Sequence, residues 1–119
     1  MIALLLPLAG CSLSSPPPPV DPSLALSDVA FSLDELVERF HVGDPHAAEA
    51  WASAHARFET DLEPLLRGRV DAVEVARTEY LFGRVRREMA EGRDPREAVK
   101  ALVDRLDEQV HDRRSVAAR

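Results

Sequence analysis

The chain has 119 residues, 45% of them apolar and only 5% aromatic, which suits one small domain filled mainly by aliphatic side chains. Its net charge of −6 argues against nucleic acid as a partner. A single cysteine excludes an intramolecular disulfide, so packing must hold the fold.

The chain opens with an apolar run, Ile2 to Leu8, followed by Ala9-Gly10-Cys11 and then by Ser12, Ser14, Ser15 and Pro16-Pro17-Pro18-Pro19. Small residues directly before a cysteine that closes a short apolar segment resemble the lipobox of bacterial lipoprotein signal peptides. In that family the cysteine is acylated on sulfur, the chain is cut before it, and the new amino group is acylated in turn. The resemblance implies a signal peptide over residues 1–10, lipidation at Cys11, and a membrane anchor outside the cytoplasm. Ser12 stands where an aspartate would mark inner-membrane retention, which implies the periplasmic face of the outer membrane. The run is too short to cross a bilayer, because a spanning helix needs about 20 apolar residues. Serine and proline after Cys11 read as an extended tether over residues 11–26, since such chain packs no core. A helical domain over 27–114 and a disordered tail over 115–119 complete the expected organisation.

No alternating strand pattern persists after residue 27, and helical punctuation takes its place. Ser32 with Glu35 forms a capping box for a short helix, Leu33 to His41, ended by Val42-Gly43. Asp44-Pro45 opens a second helix, with Asp44 as N-cap. Its stripe is Ala47, Trp51, Ala54, Phe58, Leu62 and Leu65. Pro64 should kink or end that helix, because it removes a donor and crowds the preceding turn. A third helix follows over Ala72 to Ala90, with Ala72, Val75, Ala76, Phe82, Val85 and Met89 inward and Gly92 as its stop. Asp94-Pro95 opens a fourth, with stripe Val99, Leu102, Val103, Leu106 and Val110, and Arg113-Arg114 suit its C-terminus. The expected fold is all-α: a small antiparallel bundle of three long helices and a short leading one.

Chemistry is sought among polar residues on or beside these stripes. Glu79 lies four residues after Val75 and three before Phe82, which puts it within the inward face of the third helix. Charged groups are rarely buried unless paired or ligating a metal. On the second helix His55, Glu59 and Glu63 recur every four residues and form one polar line. His and Glu at that spacing can share an ion. With Glu79 opposite, an imidazole and two or three carboxylates would converge, a set that suits iron or another divalent cation. The same residues can instead form a structural ion-pair network with Arg57, Arg67 or Arg84, and the sequence leaves both readings open. His41, His46 and His111 fall at helix ends, where capping is the default role. Haem attachment, phosphate-cradling and zinc-protease motifs are all missing, as is any nucleophile–base pair, so an enzyme is not expected.

The order Ala54-His55-x-x-Phe58-Glu59, Leu62-Glu63-x-Leu65-Leu66-Arg67, Glu79-x-x-Phe82-x-x-Val85-Arg86, Met89-x-x-Gly92 and Val99-x-x-Leu102-x-x-Arg105-Leu106 resembles one further family. It is similar to the helical periplasmic domain that precedes the membrane part of bacterial FTR1-type iron permeases. His55 stands where that family often has tyrosine, and the Arg-Glu-Gly-Leu-Glu motif of the permease is missing. The resemblance implies an accessory to iron uptake rather than a transporter, with Glu59 and Glu79 as the matched acidic positions and iron as the cofactor. Two functions are expected from the sequence: a non-catalytic lipid-anchored bundle docking an envelope partner, and an iron-binding accessory module.

Overall fold

Asp21 starts the first helix. Its side chain accepts a hydrogen bond from Ser23 N at 2.9 Å, and Pro22 occupies the first turn, where a missing N–H costs nothing. The computed structural model describes residues 21–111, and among these every regular element is helical. Helix α1 spans Pro22–His41 and α2 spans Ala47–Arg57; a π-helical turn over Phe58–Leu62 leads into the short α3, Glu63–Leu66. Helices α4, Ala72–Ala90, and α5, Arg96–His111, complete the bundle. Because α2, the π turn and α3 run on as one rod, the domain is a four-rod all-α bundle.

The first rod differs from its sequence expectation. It begins at Pro22 rather than Leu33, so Ser32 and Glu35 lie inside it instead of capping it. Residues 22–26, expected in the tether, form its first turn, with Ala25 and Leu26 buried. The leading helix is therefore long: Leu26, Val29, Leu33 and Leu36 give it a continuous buried stripe. Cys11, the expected signal peptide and tail, and Arg113-Arg114 lie outside the described residues.

Two of the three connections between rods use the same stop. At Gly43 (φ 74°) the Gly43 N–H bonds Phe40 O and Asp44 N–H bonds Arg39 O. Gly92 (φ 75°) repeats the pattern with Met89 O and Glu88 O. This double bond set satisfies carbonyls that a helix end would orphan, and its left-handed residue favours glycine. Asp44 and Asp94 each accept from a backbone N–H two residues on (His46 at 2.8 Å, Arg96 at 3.0 Å). The Asp44-Pro45 pair thus makes a turn, and α2 starts at Ala47 rather than at the proline.

Pro64, expected to kink or end the helix, instead leaves the rod running on to Leu66 by way of a wider turn. Lacking an N–H, it cannot bond the Thr60 carbonyl, and the ladder loosens to a π turn in which Glu63 N–H donates to Phe58 O. Four residues of α-helix turn through roughly 400°, so a stripe of strict four-residue period drifts by roughly 40° per step. The wider turn returns part of that rotation. Ala50, Ala54, Phe58, Leu62 and Leu66 consequently all stay in the core, and Leu66 takes the place expected for Leu65.

Helix α1 packs on α2 and α5, and α4 packs on α5 and α2. Ser23 Oγ lies 3.5 Å from His111 Nε2, and Arg69 donates to Val110 O at 3.0 Å. The start of α1, the α3–α4 turn and the end of α5 therefore share one pole, and the loops around Gly43 and Gly92 share the other. On α4 the buried residues are Val75, Thr78, Phe82 and Val85, whereas Ala72 and Ala76, expected inward, are exposed. The buried Thr78 hydroxyl lies 3.0 Å from Gln109 Oε1, and Gln109 Nε2 donates to Glu74 O at 3.1 Å. This pairing satisfies the polar groups that the α4–α5 seam removes from water. Among the described residues no helix is long and apolar enough to cross a membrane.

Candidate metal centre

The polar line on the second rod begins with Trp51, whose indole Nε1 donates to Phe82 O at 2.9 Å and so fixes α2 against α4. One turn on, the His55 ring stacks on Trp51 with centroids 4.9 Å apart and meets the edge of Phe82 at 5.0 Å. Phe58 and Phe82, both fully buried, close the floor with centroids 5.0 Å apart. The imidazole is thus held in one orientation by aromatic contacts, with its side chain 22% exposed.

Two carboxylates flank it. Glu79 Oε2 lies 2.9 Å from His55 Nε2, and Glu59 Oε1 lies 3.4 Å from His55 Nδ1. Each of the three side chains offers one ligand atom, and these atoms lie within 4.8 Å of one another. Donors around one zinc-sized ion stand about 3–3.5 Å apart, given bonds of about 2.0–2.2 Å. The two carboxylates lie against different ring nitrogens, Glu59 at Nδ1 and Glu79 at Nε2, so the side chains must close further to share one ion. Among the described residues neither Glu59 nor Glu79 forms an ion pair with Arg or Lys. Arg86 lies over the outer face of Trp51, 5.4 Å from the ring centroid, and does not enter the cluster.

The four residues singled out by spacing fare differently. His55, Glu59 and Glu79 come together. Glu79 was expected inside the inward face; it lies at the seam between α4 and α2, its side chain 37% exposed, because Thr78 and Phe82 take the core positions instead. Glu63 is the exception. Both Nε and Nη2 of Arg67 donate to its Oε1, at 3.2 and 2.7 Å. That guanidinium holds the Glu63 carboxyl below the usual carboxylate range, and burial opposes the shift. A lowered folded-state value means this pair stabilises the fold above the ordinary carboxylate range and stops doing so as pH falls through the lowered value.

The other histidines keep to helix ends. His46 pairs with Glu49 at 3.2 Å and His111 with Asp107 at 3.0 Å. A cleft of about 620 Å³ between α1 and α5, lined by Val37, Val99 and Val103, lies apart from the cluster. Comparison with family models, curated proteins and solved structures returns no match to this chain. The reading of the centre therefore rests on its geometry.

Proposed function

We propose that this chain is a lipid-anchored helical module of the cell envelope that binds a transition-metal cation, iron first, through His55, Glu59 and Glu79. The observation that carries the reading is the convergence of one oriented imidazole and two carboxylates that, among the described residues, no Arg or Lys pairs with. One nitrogen and two oxygens fill part of a coordination sphere and leave positions for water or a chelating ligand. Imidazole with carboxylate suits ferrous iron, manganese or zinc better than magnesium or calcium. The module is read as a binder rather than a catalyst, and the iron-permease resemblance makes iron uptake the process it would serve.

Calorimetric titration of the purified protein with anaerobic ferrous iron, and with ferric citrate, tests the centre. Binding in the micromolar range is expected; its absence for both forms rejects the reading. The anchor is tested separately. Radiolabelled palmitate should enter the wild-type protein in cells and fail to enter a Cys11→Ser variant, and equal labelling of the two defeats the lipid assignment.

A second reading, docking of an envelope partner, is favoured by one observation. Val73 and Tyr80, seven residues apart on the outer face of α4, are both about three-fifths exposed. A photo-crosslinking residue at position 80 should then give one discrete adduct in cells and none at the solvated position 100. Equal adducts at both positions exclude a defined docking face.

A further inference from the structure

We infer that copies of this chain associate side by side, the outer face of α4 on one copy docking against the outer face of α1 on the next, a contact that rests on the docking reading of the α4 face and gives that face its occupant.

Helix α4 carries Val73, Tyr80 and Arg87 at seven-residue intervals on the side turned from the core, with Arg77 and Arg84 beside them. No carboxylate falls on this strip, although the chain's net charge is −6. The acidic residues of α4 lie on its flanks, Glu74 engaged with Arg77 and Arg105, Glu79 with His55 and Glu88 with Arg93. Arg84 ion-pairs with no carboxylate among the described residues, and Arg87 lies over the Tyr80 ring, 5.3 Å from its centroid.

Helix α1 presents the opposite pattern. Leu24 and Phe31, again seven residues apart, are 65% and 70% exposed. Asp28, Asp34, Glu35 and Glu38 surround them, all exposed, and from Pro22 to Glu38 the helix has no Arg or Lys. Asp34 and Glu38 form no ion pair among the described residues.

The placement of the two helices lets these strips meet. Each packs on α2 and α5 and makes little contact with the other, so they stand diagonally and their outer faces point to opposite sides. Both run from the same pole. Ser23 meets His111 and Glu74 meets Gln109, so their first turns stand at nearly the same height. A sideways shift of one copy therefore lays α4 parallel to the neighbour's α1, with Val73 about level with Leu24 and Tyr80 with Phe31. Arg84 lies on the α5 side of its helix, and Asp34 and Glu38 border the cleft on the α5 side of theirs. The shift keeps those sides together and brings Arg84 to the two unpaired carboxylates. Apolar positions flanked by opposite charges select partner and orientation in helix pairing. Because the two faces differ, the contact is head-to-tail and forms open chains or rings rather than a symmetric pair.

Sedimentation velocity of the purified chain, with chelator present to exclude metal bridging, tests the contact. The mean mass should rise with concentration at low salt and fall back in 1 M salt, where charges act over only about 3 Å. Arg84→Glu with Arg87→Glu, and separately Asp34→Arg with Glu38→Arg, should each weaken association roughly tenfold or more, because like charges then face each other. Mixing the two variants should restore association, since every face again meets one of opposite sign. Helicity is checked by circular dichroism; should a double reversal lose it, Arg84→Glu and Glu38→Arg replace the pairs. A wild type that stays monomeric, association that ignores salt or both reversals, or folded variants that do not recombine overturns the inference. A photo-crosslinker at position 80 separates it from the reading beneath. An adduct of twice the chain's mass supports self-docking, an adduct with a different protein overturns it and keeps the docking face, and no adduct ends both.

Discussion

Replacing Phe82 with alanine is expected to cost about 3–5 kcal/mol of stability, the range for removing a fully buried phenylalanine ring. The ring is 0% exposed and touches three aromatic neighbours, His55, Phe58 and Trp51, at centroid distances of 5.0, 5.0 and 6.3 Å. Small domains hold about 5–15 kcal/mol in all, so the variant loses a large share of its stability. The Trp51 hydrogen bond goes to the Phe82 backbone and survives the substitution, which isolates the packing term from the polar one. Urea denaturation followed by circular dichroism and by the fluorescence of Trp51, the chain's one tryptophan, gives the measurement. Phe82→Leu should recover much of the loss. An alanine variant with an unchanged midpoint would show that α2 and α4 are not clamped at this residue.

Saturating the centre with iron should raise the melting temperature by on the order of 10 °C. A ligand at a hundredfold its dissociation constant adds about 2.7 kcal/mol, and a domain of this size gains roughly 4–8 °C per kcal/mol. The shift is large because the ligands come from two rods: His55 and Glu59 lie on the second, Glu79 on α4, so an ion joins elements that otherwise meet mainly through aromatic rings. His55→Ala should abolish the shift, since the imidazole is the single nitrogen donor. That variant also loses its stack on Trp51, so its melting point without iron falls too; the decisive quantity is the difference with and without metal. The increment should shrink in acid, because protons compete for the same carboxylates and imidazole. An equal shift in His55→Ala and wild type places the metal elsewhere.

Much of this arrangement was legible in the chain because it depends on local chemistry. The Gly43 and Gly92 stops, the limits of α4 and the stripe of α5 follow from spacing and backbone freedom. The His55–Glu59–Glu63 line follows from helical period alone. The start of α1 was missed although Asp21-Pro22 carries the same start signal as Asp44-Pro45 and Asp94-Pro95. The proline run just before it masked that signal. Capture of Glu63 by Arg67 was one of several pairings left open, since i,i+4 spacing permits that pair without choosing it over the other arginines. Nor did spacing choose Thr78 over Ala76 for the core. The Thr78 hydroxyl bonds Glu74 O of its own helix and Gln109 Oε1 of α5, and the second partner is not visible from the spacing within α4.

Because the first and last helices of the bundle finish side by side, whatever is fastened to either end of the domain pulls on the same spot. The two glycine loops lie at the opposite end of the rods, free of that pull.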